Sequence, residues 1–406
     1  MQTERLVSLG GLLVMLVLAW LISENRRKTD LRLVLSGVVL QLVLAVLLLR
    51  TGFGAVAFTG ARVLVGAIGD WANQGASFVF SPFFFSESFG NPPFAFSVLS
   101  IVIFVSSVTA VLFHLGVLQF LVKIMARIMA WVMHTSGSES LCASANVFLG
   151  MTTAPLVIRP YLDSMTRSEL MAMMTGGMAT VAGAVMVAYA GMGADPGHLM
   201  TASLMSAPAS LVIAKIMVPE LEKSPTMGHV TIEVPRQDEN VLDAACRGAA
   251  DGLKLALNIG AMLIAFIAIV AMLNWTLALL PPVWGEPLSL ERVLGWACAP
   301  LAWVMGVEWK DAQAVGMLIG KKTVLNEFLA YMDLATLKDQ LSPRSFTIAT
   351  YALCGFANLG SIAVMIGGVG GLAPGRRKDF AKLGFRSMIA GALAGFTTAT
   401  IAGMLI

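Results

Sequence analysis

The chain has 406 residues, 57% of them hydrophobic and only 13% charged, with a net charge of +3 and a mean hydropathy of +0.81. Ordinary soluble domains carry roughly 25% charged residues. Here, apolar runs of about 18 residues or more, the length required by a bilayer core about 30 Å thick, recur along the whole sequence. A soluble fold has nowhere to bury them, so the composition specifies an all-α polytopic membrane protein, embedded in a lipid bilayer and with no nucleic-acid partner.

In chain order, the runs and breaks predict transmembrane helices near 6–22, 32–50, 97–118, 167–193, 198–217, 257–279, 346–367 and 381–405, eight in all. The first run is not read as a cleaved leader: no small-residue cleavage site follows it. Arg26, Arg27, Lys28 and Arg32 come instead, as expected of a cytoplasmic loop after a retained span. Further basic positions at Lys123, Arg127, Lys215, Lys223, Arg376, Arg377, Lys378 and Lys382 belong on the same side, which puts both termini outside the cytoplasm. Stretches 54–78, 118–134 and 288–306 are apolar with isolated polar residues, the pattern of helices lying along the interface. The hydrophilic insert 219–245 is the one loop long enough to be mainly solvated.

Two stretches, 138–161 and 309–337, are apolar, interrupted near the middle and too short for two spans. The interruptions fall at Gly150 to Pro155 and at Gly320 to Glu327. Non-helical backbone at membrane depth survives only where protein or a water-filled cavity satisfies it, so both read as re-entrant hairpins. The halves also repeat. Arg167-Ser168 recurs as Arg344-Ser345, an offset of 177 residues (344 less 167), and at that offset Gly183, Gly191 and Gly193 meet Gly360, Gly368 and Gly370. The order span, interfacial helix, hairpin, span, span recurs too, in antiparallel halves. The expected organisation is therefore N-terminal scaffold helices and an interfacial segment over 1–94, a first inverted repeat over 95–218, a cytoplasmic linker over 219–245 and a second inverted repeat over 246–406. Inverted repeats with binding at their interface characterise secondary transporters.

Among polar residues, Glu327 is the sharpest signal. A carboxylate inside an apolar segment costs roughly 2.5–3.5 kcal/mol on insertion scales and marks a substrate or ion pathway. The competing reading pairs it with Lys321 or Lys322 to lock the hairpin. Asn326 and Phe328 extend the patch, while Asn358 and Ser361 sit in a glycine-rich span whose glycines indicate close packing or local unwinding. Asn146 and Thr180 occupy the equivalent elements of the first half, and neutral oxygens with freed carbonyls suit a bare Na⁺. Cys142, Cys246, Cys298 and Cys354 are scattered, as are His114, His134, His198 and His229, and none has metal or redox spacing. With no nucleophile–base pair and no phosphate loop, the chain is not expected to be an enzyme or an ATP-driven pump.

The run Gly320-Lys321-Lys322-Thr323-Val324-Leu325-Asn326-Glu327-Phe328-Leu329-Ala330-Tyr331 resembles the G-x-K-x-x-x-N-E-F-x-A-Y signature of concentrative nucleoside transporters. CGFANLGSIA (354–363), APLVI (154–158) and NIGAMLIAFIA (258–268) are similar to further segments of that family. The resemblance implies a homotrimer in a bacterial inner (plasma) membrane, with an outer scaffold and an elevator-like transport domain. By position it implies that Glu327, Asn358 and Ser361 hydrogen-bond the ribose hydroxyls of a nucleoside, and that Phe356 and Val185 pack on the sugar or base. Asn146 and Thr180, with the carbonyls of Leu149 and Val181, would form a Na⁺ site. One departure stands out. Where the family usually has G-Q-[ST]-E-A-P at the first hairpin tip, this chain has Gly150-Met151-Thr152-Thr153-Ala154-Pro155, so both long base-recognising groups are missing. The expectation is a cation-coupled nucleoside symporter with altered or relaxed base selectivity at Met151, Thr152 and Thr153. Na⁺ is favoured as the coupling ion over H⁺, and a passive channel or facilitator is the alternative.

Overall fold

The computed structural model describes residues 2–86, 92–227, 238–283 and 285–406. Parts of two expected segments, 87–91 of the N-terminal scaffold and 228–237 of the linker, lie outside those residues, and His229 lies there too. The described residues form helices joined by short connections, with no strand among them. In the first half these are α1 (Gln2–Leu21), α2 (Leu31–Arg50), α3 (Gly52–Phe80), α4 (Phe94–His114), α5 (Val117–Met133), α6 (Gly137–Leu149), α7 (Ala154–Val157), α8 (Arg167–Ala179), α9 (Gly183–Gly191) and α10 (Pro196–Met217). The second half contributes α11 (Val241–Leu277), α12 (Leu290–Val304), α13 (Trp309–Val324), α14 (Glu327–Thr336), α15 (Pro343–Leu353), α16 (Leu359–Leu372) and α17 (Arg377–Leu405).

Among the described residues, eight helices are long and apolar enough to cross a membrane. The number equals the sequence expectation, but the membership differs. Stretch 54–78, expected to lie along the interface, is part of the continuous 29-residue α3, which is long and apolar enough to cross by length and composition, while 346–367 is interrupted between α15 and α16, neither of which alone has that length. The expected span 257–279 is the C-terminal part of the 37-residue α11, which begins inside what was expected to be linker. Its polar first turns are helical because a small-residue stripe (Ala244, Gly248, Gly252, Ala256) buries against α4. A Cβ at Gly248 would stand 2.7 Å from the Ser106 carbonyl oxygen, so only glycine permits that approach.

The element order repeats. A long helix (α4, α11) is followed by a shorter helix (α5, α12), two helices separated by a break (α6–α7, α13–α14), a broken helix (α8–α9, α15–α16) and a long buried helix (α10, α17). The first of the shorter helices, α5, buries Leu118, Val122, Ala126, Met129 and Met133, one face at helical spacing. The second break is narrower than the sequence suggested: α13 runs unbroken to Val324, and only Leu325 and Asn326 interrupt it. Gly320 lies inside the helix because a Cβ there would meet Leu294 Cβ at 2.6 Å, so it serves the packing of α12, which is bent 118° from α13.

Sequence-local capping fixes where these helices start. Ser136 and Thr166 each form a capping box, with Glu139 and Glu169 respectively. Both carboxylates then join a buried network at one end of the bundle. Lys215 Nζ lies 2.7 Å from Glu139 Oε2 and 3.1 Å from Glu220 Oε2, and Glu169 Oε1 accepts from Ser138 Oγ at 3.1 Å.

Candidate functional site

Asn358 is the N-cap of α16, its Oδ1 accepting the Ser361 amide at 2.8 Å, and Asn326 caps α14 in the same way through the Leu329 amide at 2.9 Å. The helix N-termini they cap are where backbone N–H groups and the helix dipole favour negative charge. Glu327, the first residue of α14, sits at one such end and is 3% exposed. Its Oε2 accepts the Asn358 side-chain amide at 2.8 Å. Neither neighbouring lysine forms a direct ion pair with Glu327. Lys321 pairs with Asp333 at 2.6 Å and Glu291 at 3.4 Å, while Lys322 donates to the Ala352 carbonyl at 2.9 Å.

Glu327, Asn358, Ser361, Phe356, Val185, Met151, Thr152 and Thr153 all line one cavity of about 520 Å³. Asn326 is not among the lining residues; its Oδ1 is committed to the α14 cap, and its Nδ2 has no partner. One wall is formed by the hairpin tip with α9, α14 and α16, and the other by α4 and α11. The α11 wall brings Arg247, Asp251, Lys254 and Asn258 into the lining; the sequence reading placed the first three ahead of the span and Asn258 at its start, and assigned none of them to the site. Their i, i+4, i+7, i+11 spacing was the available signal for a helical face. Also missed was Tyr189, fully buried and stacked on Tyr331 with centroids 4.3 Å apart and edge-on to Phe328 at 4.9 Å.

The first hairpin tip depends on Gly150, whose φ of +78° and position 2.7 Å (as a Cβ) from Ala182 Cβ exclude other residues. That contact seats the tip against the break between α8 and α9. Four further residues meet there. Asn146 is fully buried, with Nδ2 packed on Gly176, and the Thr180 hydroxyl donates to the Gly176 carbonyl at 2.8 Å. Leu149 ends α6 and Val181 lies in the break, positions whose carbonyls have no helical donor. The arrangement leaves one buried oxygen, Asn146 Oδ1, without a partner. Buried polar atoms are nearly always satisfied, so an orphaned oxygen beside a helix break with free carbonyls fits a hard cation. The two breaks also touch, since Gly355 lies where a Cβ would be 2.9 Å from the Ala179 carbonyl oxygen.

This geometry has close counterparts. A family model described as "Na+ dependent nucleoside transporter N-terminus" matches residues 10–83, one described as "Nucleoside recognition" matches 95–196, and one described as "Na+ dependent nucleoside transporter C-terminus" matches 198–403. The chain is 40% identical over 398 residues to "Uncharacterized transporter YutK" of Bacillus subtilis, with 98% of each chain covered. It is 41% identical to human "Solute carrier family 28 member 3", covering 99% of this chain but only 60% of the human protein's length. Among solved structures, it superimposes on CNTnw in an inward-facing substrate-bound state with a TM-score of 0.93 and 40% identity, covering 100% of this chain and 98% of that one. A doubly substituted CNTnw in an outward-facing state matches with a TM-score of 0.94 and 39% identity, covering 100% and 99%. The chain is thus a multi-pass membrane transporter, not an enzyme, and belongs to the concentrative nucleoside transporter family.

Proposed function

We propose that the protein is a secondary active symporter that imports nucleosides on a Na⁺ gradient. The observation that carries the ion assignment is the fully buried, unpartnered Asn146 Oδ1 beside Thr180 and the α8–α9 break. Neutral oxygen ligands suit Na⁺ and cannot themselves deliver a proton. Within this reading, Asn146, Thr180 and the carbonyls of Leu149 and Val181 hold the ion. Glu327, Asn358 and Ser361 hold the ribose, Phe356 and Val185 pack against the nucleoside, and Met151, Thr152 and Thr153 face the base. Asn326 acts on the substrate indirectly, by capping the helix that presents Glu327.

Ion and substrate bind to breaks that touch each other, so each favours the arrangement the other needs; this is coupling as a shared free energy. The two repeats over 95–218 and 246–406 would move their hairpins together against a scaffold that includes the N-terminal helices. We assign the protein to a bacterial inner membrane as a homotrimer, with both termini outside the cytoplasm, on the family resemblance and the basic loops.

H⁺ coupling is the second reading, favoured by Glu327 itself, a buried carboxylate whose hydrogen bond is to an uncharged amide. Proteoliposome uptake of labelled uridine and adenosine under an imposed Na⁺ or H⁺ gradient separates the two. Concentrative uptake with Na⁺ alone supports the symporter as stated. Uptake driven only by H⁺ replaces the ion, and equilibration without accumulation indicates a passive facilitator.

A further inference from the structure

Lys322 is 1% exposed, and no carboxylate lies within 4 Å of its ammonium among the described residues. Lys321, its neighbour, has two carboxylates, Asp333 on α14 and Glu291 on α12. Nζ of Lys322 instead donates to the Ala352 carbonyl at 2.9 Å and lies 5.9 Å from the centroid of the Phe396 ring. A Cβ at Gly395 on α17 would stand 3.8 Å from the Ala352 oxygen, 3.9 Å from Nζ and 4.0 Å from the Cys354 oxygen, so ammonium and carbonyls converge on one point. Removing an ammonium from water is strongly disfavoured unless fixed dipoles replace the solvent. Here the replacement is the end of α15, whose last-turn carbonyls have no helical donors and carry the negative end of the helix dipole.

The same place exists in the first repeat. Asn146 lies in the last turn of α6 and packs on Gly176 in the last turn of α8. Lys322 lies in the last turn of α13 and binds Ala352 in the last turn of α15. Both pairs are related by one offset, 176 residues (322 less 146, and 352 less 176), one less than the 177 that relates Arg167 to Arg344. At the first position the side chain is neutral and leaves an oxygen orphaned; at the second it brings its own positive charge.

We propose that Lys322 is a tethered cation that fills, in the second repeat, the position that the coupling ion occupies in the first. The ammonium ties the end of α13 to the end of α15 and so sets Glu327, five residues on, against Asn358 across the second break. The second repeat is permanently loaded, and ion dependence is confined to the first. Only the comparison with the first repeat rests on the sodium reading; the role of the Lys322 charge stands apart from it.

The test is equilibrium nucleoside binding by calorimetry on the purified full-length protein, with uridine and adenosine as probes and Na⁺ varied. Lys322→Met keeps the unbranched stem but ends one atom short of Nζ and removes the charge, and binding should weaken by about tenfold or more at saturating Na⁺. Lys322→Ala leaves room at the carbonyls, and its binding should recover when methylammonium is added, or should acquire a steeper Na⁺ dependence than the wild type as a second ion enters. Wild-type affinity in Lys322→Met overturns the proposal. So does a weakened Lys322→Ala that no cation rescues, because a purely structural brace would not respond to free methylammonium. If the wild type binds nucleoside with no Na⁺ dependence, the sodium reading fails, while methylammonium rescue still decides the role of Lys322.

Discussion

The Asn358 side-chain amide donates to Glu327 Oε2 across 2.8 Å, joining the first residue of α14 to the N-cap of α16. Neither helix continues through the membrane-spanning region, and the bond bridges the two places where they start. It leaves the rest of the carboxylate and Ser361 facing the cavity, which is a layout suited to a vicinal diol: a carboxylate accepts from two hydroxyls while the amide holds it still.

Glu327→Gln should therefore reduce nucleoside uptake by roughly 10- to 100-fold, since a hydrogen bond to a charged group is worth about 1.5–3 kcal/mol. The variant should still elute as folded protein, because glutamine keeps the size and an acceptor for Asn358. Near wild-type uptake would remove Glu327 from the substrate site.

Asn146→Ala should raise the Na⁺ concentration giving half-maximal uptake, with little change in maximal rate at saturating Na⁺. The residue's Oδ1 has no protein partner to lose, so the deficit should be in ion binding and not in folding. An unchanged Na⁺ titration curve would count against the cation site.

Gly355→Ala tests whether the two breaks communicate. Gly355 has φ of +154°, and an added Cβ would sit 2.9 Å from the Ala179 oxygen, one residue before Thr180. Backbone strain of this kind costs on the order of 1–3 kcal/mol, and relief requires the breaks to separate. Half-saturating concentrations of Na⁺ and nucleoside should both rise. A rise in one alone would mean that the contact does not couple them.

Lys215→Met should lower the thermal inactivation midpoint in detergent. It strips the counter-charge from fully buried Glu139, and breaking a buried pair from one side costs about 3–5 kcal/mol. The double variant Lys215→Met/Glu139→Gln should regain part of the loss. If the single variant is as heat-resistant as the wild type, the network does not stabilise the α6–α10 junction.

How much of this was readable beforehand depended on whether the signal was local. The Glu327 patch and the break at Gly150 were legible because a carboxylate, or a glycine followed by proline, is conspicuous within an apolar run. The start of α11 was not, since Arg247, Asp251 and Lys254 look like a polar approach to the span until the stripe of Ala244, Gly248 and Gly252 is matched to α4, a contact between residues about 140 apart. The interruption within 346–367 was hidden for a related reason. Hydropathy sees 346–367 as continuous, while the break at Cys354–Asn358 is made by side-chain caps and by the approach of Gly355 to α8. The partner of Lys322 was equally hidden: two adjacent lysines read alike in sequence, and only packing brings one to carboxylates and the other to a carbonyl.

The hairpin tip offers a gain-of-function test of selectivity. Met151 is buried against α8, where a Cβ on Gly177 would come within 2.9 Å of its own, while Thr152 and Thr153 are exposed and line the cavity. None of the three presents a long hydrogen-bonding group to a base edge. A site that hydrogen-bonds its ligand rejects analogues strongly because the wrong one leaves buried groups unpaired; an apolar or short-chain site rejects them weakly. The double variant Met151→Gln/Thr153→Glu should thus widen the spread of inhibition constants across a panel of pyrimidine and purine nucleosides. Ribose-modified analogues should be unaffected, because Glu327, Asn358 and Ser361 are unchanged. A wild-type panel already as selective as that of the double variant would mean that base recognition resides elsewhere, with the α11 groups Asn258 and Lys254 the next residues to substitute.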